Sequence, residues 1–322
     1  MALIARGRPG LDAAARDVES LGGEPLVLPL DVADAEAVQA AADRVVAAWG
    51  GIDVWINNAM ATIFAPVEGT TPAEFRRVTE VTYLGQVHGT LAALKQMRRQ
   101  NGGTIVQVGS ALAYRSIPLQ SAYCGAKAAA RGFTDSLRSE LIHEGSPIRL
   151  TTVHLPAINT PQFDWVRSRL PRRLQPVPPI HAPEVAAEAI VRASLKAPRE
   201  LWVGSPTIKA ILGTMLAPGF LDGLASRRAW DGQMTSEPSV ARPDNLFEPA
   251  PGPPDGRGRF ACVERHALVA SDAAARGAIV GLGVVLVGAL TLLARASVRR
   301  LVSRDGEPAG QRHLDARRRR ST

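Results

Sequence analysis

Short apolar runs alternate with longer stretches of helical periodicity along most of the chain. The runs, which we predict to be strands, are residues 26–30, 52–56, 104–108, 148–155 and 201–203. Helices are predicted over residues 11–21, 34–49, 72–99, 121–144 and 183–195. Parallel strands need a crossover connection, which is usually a helix, so this alternation is typical of a parallel sheet. We therefore expect an α/β fold with a doubly wound parallel sheet around one sizeable core.

A serine, a tyrosine and a lysine form the most informative motif, since Ser110 precedes a Tyr-x-x-x-Lys stretch formed by Tyr123 and Lys127. In a helix, Tyr123 and Lys127 lie one turn apart on the same face. A free tyrosine has a pKa of about 10, and a neighbouring ammonium favours the phenolate. We expect Lys127 to lower the pKa of Tyr123, so that Tyr123 exchanges a proton with an alcohol or carbonyl oxygen that Ser110 also binds. The alternative is an ordinary helix with a surface lysine.

With this motif and others in the expected order, the chain resembles the short-chain dehydrogenase/reductase family, in the compact branch that oxidises alcohols or reduces carbonyls with NAD(P). The resemblance covers about residues 1–205. It implies a Rossmann-like fold, with Tyr123 as the catalytic acid/base, Lys127 as a ligand of the nicotinamide ribose and Ser110 as the residue that positions the substrate.

The resemblance also implies further cofactor contacts. Asp31 and Val32 close an apolar run and look like the pair that contacts the adenine. Asn58 and Ala59 belong to a stretch that resembles the family's Asn-Asn-Ala-Gly turn, with Met60 in place of the glycine. Pro156 ends residues 148–155 and resembles the Pro-Gly that borders the nicotinamide, although alanine follows it here.

The start of the chain departs from the family. Residues 1–7 read as the second strand of such a domain and its end, and no glycine-rich turn precedes them. In the doubly wound order the first strand lies between the second and the fourth, so its absence leaves a gap of about 10 Å. We expect that this gap cannot persist and that about 30 to 40 residues, a strand, turn and helix, lie upstream of Met1. The alternative is a true truncation with a rearranged sheet and poor cofactor binding.

A second departure concerns the catalytic asparagine of the family, which lies in a Val-Asn-x-x-Gly stretch. This chain has Thr82 at that position. A threonine lacks the carboxamide to which the family's water-mediated proton relay is ascribed. Thr82 and the absent nucleotide loop therefore leave a second function class open, a catalytically weak relative that acts as a membrane-attached interaction protein.

Arg6 indicates which cofactor is bound. At the end of the second strand of these folds, an acidic residue binds the 2′-hydroxyl of NAD, whereas a basic residue accommodates the 2′-phosphate of NADP. The chain has Arg6 and Arg8 there, and its first acidic residue is Asp12. We therefore expect NADP(H) in preference to NAD(H), the alternative being a solvated surface arginine.

The composition changes after the predicted enzyme domain, which we assign to residues 1–230. We predict a Pro/Gly-rich linker at 231–275, a transmembrane or membrane-associated helix at 276–296 and an Arg-rich disordered tail at 297–322. Residues 277–294 carry no charge, which just reaches the length needed to span a membrane. The alternative is a buried helix or one that docks on a partner.

Charge follows the same division. Residues 295–322 hold nine arginines and three acidic residues, a net charge of 9 − 3 = +6 out of +8 for the whole chain. We therefore expect anionic lipid, and not nucleic acid, as the partner of the tail. The catalytic domain is expected in the cytoplasm and attached to a membrane through the C-terminal apolar segment.

The remaining expectations concern the pocket. Apolar residues between Ser110 and Tyr123, with Phe163 and Trp165, predict a small lipophilic substrate. Four arginines follow and either hold an acidic substrate or form a solvated face; they are Arg167, Arg169, Arg172 and Arg173.

No metal site is expected, because the six histidines and two cysteines show no ligand spacing. The sequence leaves a homo-oligomer open.

Overall fold

The computed structural model describes residues 1–249, 256–261, 264–277 and 281. One compact unit spans Met1–Asp272, and a second spans Ala273–Thr322. The described residues of the second unit, 273–277 and 281, are helical.

The first unit alternates strands and helices. Its strands are β1 Ala2–Ala5, β2 Leu26–Pro29, β3 Val54–Asn57, β4 Ile63–Phe64, β5 Gly103–Ser110, β6 Ile148–Leu155, β7 Arg167–Ser168, β8 Arg172–Leu174, β9 Glu200–Val203, β10 Met234–Pro238 and β11 Val269–Ser271. Its α-helices are α1 Arg8–Ser20, α2 Ala35–Trp49, α3 Pro72–Thr79, α4 Gly85–Arg99, α5 Ser121–His143, α6 Gln162–Trp165, α7 Pro183–Lys196, α8 Ser205–Leu216, α9 Pro218–Leu224 and α10 Trp230–Gly232. The predicted helix over 72–99 is thus two helices, joined by a π-helical turn at Glu80–Leu84.

The main sheet has the order β3-β5-β6-β9-β11. Its first four strands are parallel, and β11 adds to the edge in the antiparallel direction. Both faces of the sheet are covered. Ile105 packs with helices α2 and α4 on one face, while its neighbour Val106 packs with α7 on the other. Side chains alternate across a strand, so a strand buried on both faces has to be apolar throughout, and this explains the runs in the sequence. The predicted α/β doubly wound fold is confirmed.

Strands β1 and β2 form a separate parallel pair, in which Ile4 lies opposite Leu28. Among the described strands β1 does not pair with β3, so the expected gap is present and the alternative of a rearranged sheet is not found. The strand, turn and helix expected upstream of Met1 stay a prediction. A groove lies at this position, lined by residues of β1 and β3. Val54 and Ile56 of β3 are consequently 40% and 44% exposed. The pair β1–β2 is retained because its side chains pack on the core formed with α2 and α4.

The linker predicted over 231–275 is wrong for its described part. Strand β10 pairs with β8, and β11 pairs with β9, so this part of the chain packs against the enzyme domain. The compact unit accordingly extends to Asp272 and does not end at residue 230. Proline and glycine mark irregular backbone, but they do not reveal whether that backbone has a surface to pack against.

The predicted apolar helix at 276–296 and the tail at 297–322 fall almost entirely outside the described residues. Among the helices that the structure describes, none is both long enough and apolar enough to span a membrane. The C-terminal segment therefore stays a prediction from the sequence.

Candidate active site

Ser110, Tyr123 and Lys127 lie together, as the sequence predicted. Ser110 is the last residue of β5, and the other two lie in the first two turns of α5. All three are nearly buried, with 8%, 9% and 3% of their surface exposed. They line a groove of ≈ 1910 Å³ that runs from the gap between β1 and β3 to the carboxyl ends of the parallel strands. Ligands of open α/β sheets bind at this edge, so the groove is the candidate active site.

Burial dominates the proton affinity of Tyr123. It raises the pKa of the phenol well above its ordinary value of 10, and the hydrogen bond with Ser110 lowers it in part. The expected lowering by Lys127 is not found in this structure, because the Lys127 ammonium lies 5.8 Å from the centroid of the Tyr123 ring and donates elsewhere. Tyr123 therefore holds its proton at neutral pH.

The Lys127 side chain is held by strand β5. Its Nζ donates to the backbone oxygen of Val108 at 2.6 Å, and burial lowers its pKa from 10.5 to about 8. Gln86 Nε2 donates to the same oxygen at 3.2 Å. The sequence motif did not reveal Gln86, which lies one turn after Thr82 and lines the groove.

Thr82 is fully buried and engaged with backbone. Its hydroxyl donates to the Ala61 oxygen at 2.7 Å and accepts from the Ala61 nitrogen at 2.8 Å. This residue lies in the π-helical turn, where the regular backbone ladder is interrupted. Thr82 therefore holds that turn to the loop after β3, and it is the carboxamide of Gln86 that shares a backbone acceptor with Lys127.

The residues predicted to hold the cofactor all line the groove: Arg6, Asp31, Val32, Asn58, Ala59, Tyr123, Lys127 and Pro156. They come from the ends of strands and from the start of α5, so the fold brings them together from distant parts of the chain. A nicotinamide dinucleotide beside a substrate fits this residue set.

Val32 is fixed by helix α4. His88 Nδ1 lies 3.0 Å from the Val32 oxygen. Gly85 is required beside it, because a Cβ at this position would lie 2.7 Å from Val32 Cγ2. Neither residue was predicted from the sequence, since a close approach between helix and loop leaves no local pattern.

Arg6 and Asp31 form one corner of the groove. Arg6 donates to the backbone oxygens of Asn245 and Phe247, and Asp31 forms an ion pair with Arg77. Burial alone would raise the pKa of Asp31, but the Ala33 N–H and the Arg77 guanidinium lower it below its ordinary value. Asp31 is therefore ionised at neutral pH, and Arg6 is held by protein oxygens and is not a solvated surface arginine.

A buried polar cluster behind Ser110 was not predicted. Glu200 accepts from Tyr114 Oη at 2.8 Å and from Trp202 Nε1 at 2.8 Å, and His154 Nε2 lies 3.5 Å from it. Burial alone would raise the pKa of Glu200, but His154, Trp202 and Tyr114 lower it to about 2. His154 Nδ1 lies 3.1 Å from the Ser110 backbone oxygen. The cluster thus fixes both Ser110 and the turn after it.

The four predicted arginines are bound by carboxylates of the same chain. Arg167 and Arg169 both reach Glu74, whose side chain is 3% exposed, at 3.0 and 2.7 Å. Arg172 and Arg173 pair with acidic residues of α10 and β10. The structure thus favours the solvated face, with three of the four side chains 39–40% exposed and all four in ion pairs with carboxylates of the chain. Position in the sequence could not reveal this, because Glu74 lies more than 90 residues away.

Apolar side chains line the part of the groove around Ser110. Those predicted from the sequence are Leu112, Ile117, Phe163 and Trp165, and the fold adds Met60, Phe64, Ile158 and Val177. Among the described residues, no group of histidine, cysteine and carboxylate side chains has the arrangement of a metal site.

Comparison with known proteins agrees with this geometry. The uncharacterized oxidoreductase YxnA of Bacillus subtilis is 30% identical over 247 residues, which cover 76% of this chain and 69% of that protein. A fatty acyl-CoA reductase of Acinetobacter baylyi is 27% identical over 201 residues, covering 62% of this chain and 65% of that protein.

Solved structures share the fold. A short-chain dehydrogenase from Streptomyces avermitilis superposes with a TM-score of 0.57 and 27% identity, covering 71% of this chain and 90% of that one. An alcohol dehydrogenase from Thermococcus sibiricus, complexed with 5-hydroxy-NADP, gives a TM-score of 0.52 and 28% identity, covering 62% and 83%. The family described as short chain dehydrogenase matches residues 1–170. The chain therefore belongs to the short-chain dehydrogenase family of oxidoreductases.

Proposed function

We propose that the protein is an NADP(H)-dependent oxidoreductase that interconverts a lipophilic carbonyl compound and its alcohol. The observation that carries this proposal is the meeting of Ser110, Tyr123 and Lys127 in the groove that the predicted cofactor residues also line. Beside the hydride source, carbonyl reduction uses a proton donor, a hydrogen-bond donor and a cation around one position.

Each residue has a distinct task. A bound nicotinamide supplies or accepts the hydride, and Lys127, Asn58, Ala59 and Pro156 are the residues that would hold its end of the cofactor. Tyr123 donates its proton to the substrate oxygen, which its raised pKa supports because the phenol is protonated at neutral pH. Ser110, in hydrogen-bond contact with Tyr123, also donates to that oxygen. Lys127, whose ammonium donates to the Val108 oxygen, would hold the nicotinamide ribose beside the substrate.

Arg6 supports the preference for NADP(H). Its guanidinium lies at the end of β1 and lines the groove, where a planar cation with several donors suits a phosphate. The alcohol dehydrogenase from Thermococcus sibiricus, with its bound 5-hydroxy-NADP, is in keeping with this choice. Asp31 lies beside Arg6 but is paired with Arg77, which reduces its repulsion of a phosphate.

The lining around Ser110 supports a lipophilic substrate. Phe163 is 6% exposed and packs against Phe64 with ring centroids 6.1 Å apart, so it forms a fixed apolar wall. The name of the Acinetobacter relative refers to fatty acyl-CoA, a substrate with a long apolar chain. The arginines that might have bound an acidic substrate are occupied by carboxylates.

The test is Tyr123→Phe, measured as NADPH oxidation with a panel of lipophilic ketones and aldehydes. Loss of the proton donor should lower kcat by about 10²-fold or more, while the Kd for NADPH changes little. Tyr83→Phe is the matched control, because Tyr83 packs its ring against Phe133 away from the groove and should retain full turnover. Unchanged turnover in Tyr123→Phe would refute the mechanism, and a preference for small charged sugars would refute the substrate class.

We also propose that residues 276–296 attach the protein to a membrane, because residues 277–294 form an uncharged run. Sedimentation of the full-length protein with membranes at high salt tests it, and recovery in the supernatant would exclude it. Homo-oligomer formation is tested by light scattering.

A further inference from the structure

Residues 242–247, which we call the C-terminal strap, cross from the substrate part of the groove to the corner formed by Arg6. At the substrate side, Arg242 Nη2 donates to the backbone oxygens of Phe163 and Val166 at 3.0 and 3.3 Å. The Asn245 nitrogen donates to the Trp165 oxygen at 2.9 Å. The strap is therefore anchored on helix α6, whose side chains face the substrate region.

At the opposite side, three successive strap oxygens accept from two guanidinium groups. Arg6 donates to the backbone oxygens of Asn245 and, at 2.7 Å, of Phe247. Arg77 Nε donates to the oxygen of Leu246 at 3.0 Å, and its terminal nitrogen pairs with Asp31. The position of the Arg6 guanidinium is thus determined by the strap, which lies about 240 residues later in the chain.

Leu246 and Asp244 hold the strap in place. Leu246 is fully buried in an apolar cluster that contains Val78 and the partly buried Val32. Asp244 accepts from the Leu246 nitrogen at 3.0 Å and from Arg167 Nε at 2.7 Å. The buried Leu246 side chain and the two hydrogen bonds that Asp244 accepts restrict the conformation of the strap. Its backbone oxygens are therefore acceptors in fixed positions.

We propose that the strap determines cofactor specificity by positioning Arg6 for the 2′-phosphate of NADP. An arginine has five N–H donors, of which Arg6 gives two to the strap, so within the part of the chain that the structure describes 5 − 2 = 3 are left for an anion. A guanidinium that is already oriented binds a phosphate without losing side-chain freedom. The inference rests on the proposed NADP(H) function and adds the residues that set its specificity.

The experiment measures the Kd of 2′,5′-ADP and of 5′-AMP by calorimetry in the full-length protein, because these fragments differ only in the 2′-phosphate. In the wild type 2′,5′-ADP should bind more tightly. Leu246→Ala should reduce that preference about tenfold, the effect of one charge-assisted interaction, with little change for 5′-AMP. Asp244→Asn, which opens no cavity, should reduce it about threefold. Ser239→Ala, an exposed position outside the strap, should leave it unchanged.

A double-mutant cycle separates positioning from general loosening. Arg6→Ala should reduce the preference at least as much as Leu246→Ala, and adding Leu246→Ala to Arg6→Ala should cause no further loss. Three outcomes would each overturn the inference. The strap variants could weaken the binding of both ligands equally, the losses in the cycle could be additive, or 2′,5′-ADP could bind more tightly after the strap is loosened. Failure of the wild type to prefer 2′,5′-ADP would instead refute the proposed NADP(H) specificity and the inference with it. Circular dichroism of each variant confirms that it is folded.

Discussion

Replacing Lys127 with methionine should stabilise the fold while it removes activity. The Lys127 side chain is 3% exposed, and burial lowers its pKa from 10.5 to about 8. The difference, 10.5 − 8, is about 2.5 pKa units, or roughly 3 kcal/mol that the folded state loses by keeping the ammonium charged at pH 7. Methionine fills a similar unbranched space without a charge.

One contact is lost in this replacement, but its partner is not left alone. The Val108 oxygen accepts from Lys127 Nζ and also from Gln86 Nε2, so it keeps a donor in the variant. We therefore expect a net increase in the free energy of unfolding of about 1 to 3 kcal/mol at pH 7. The protein retains Lys127 at this energetic disadvantage because the proposed chemistry needs the cation.

The pH dependence gives this prediction its sharpest test. The pKa of Lys127 is lower in the folded state, so between about pH 8 and 10.5 the unfolded chain binds more protons, and wild-type stability rises with pH. The cost is fully present below about pH 8 and disappears above 10.5. The advantage of Lys127→Met should accordingly fall from about 3 kcal/mol or less at pH 7 to about 1 kcal/mol or less at pH 9.5.

Urea unfolding of both proteins at pH 7 and pH 9.5 measures the two values. Lys95→Met is the matched control, because Lys95 is exposed on helix α4 and its replacement should change stability by less than about 0.5 kcal/mol at either pH. A variant that is less stable than the wild type at pH 7, or an advantage that does not change with pH, would refute the reasoning.

Two further predictions concern titrating groups. The kcat/KM for carbonyl reduction should decrease as the pH rises through about 8, because neutral Lys127 binds the nicotinamide ribose, its proposed ligand, less strongly than the ammonium does; a profile that is flat from pH 7 to 10 would contradict this. Glu74 is bound by Arg169 and Arg167, and its pKa is lowered from 4.5 to about 2, so the stabilisation it provides is present above about pH 4.5 and is lost as the pH falls toward 2. Glu74→Gln should therefore lower the free energy of unfolding at pH 7 by about 2 kcal/mol in urea titrations. The control Glu68→Gln, at an exposed position, should show no such loss. Equal stability of the two variants at pH 7 would show that the Glu74 ion pairs contribute nothing.

The sequence by itself determined the elements and the order of the motif. Helix α5 was predicted over 121–144 and is found at Ser121–His143. The prediction was possible because helical periodicity and helix boundaries depend on residues that are close together in the sequence. Apolar runs predicted the parallel strands for the same reason. The Ser-Tyr-Lys motif could be identified because its spacing matches one strand end and one helical turn.

Tertiary structure alone decided the chemistry around those residues. The pKa of Tyr123 depends on how deeply the phenol is buried and on where the Lys127 ammonium donates, and neither follows from their spacing. The cluster of His154 and Glu200 next to Ser110, the pair of Glu74 and Arg169, and the strap next to Arg6 involve partners 44 to 241 residues apart. Periodicity reports which face of an element is buried, but the partner across the interface is chosen by packing of the whole chain, and electrostatic energies depend on that distance and on the exclusion of water.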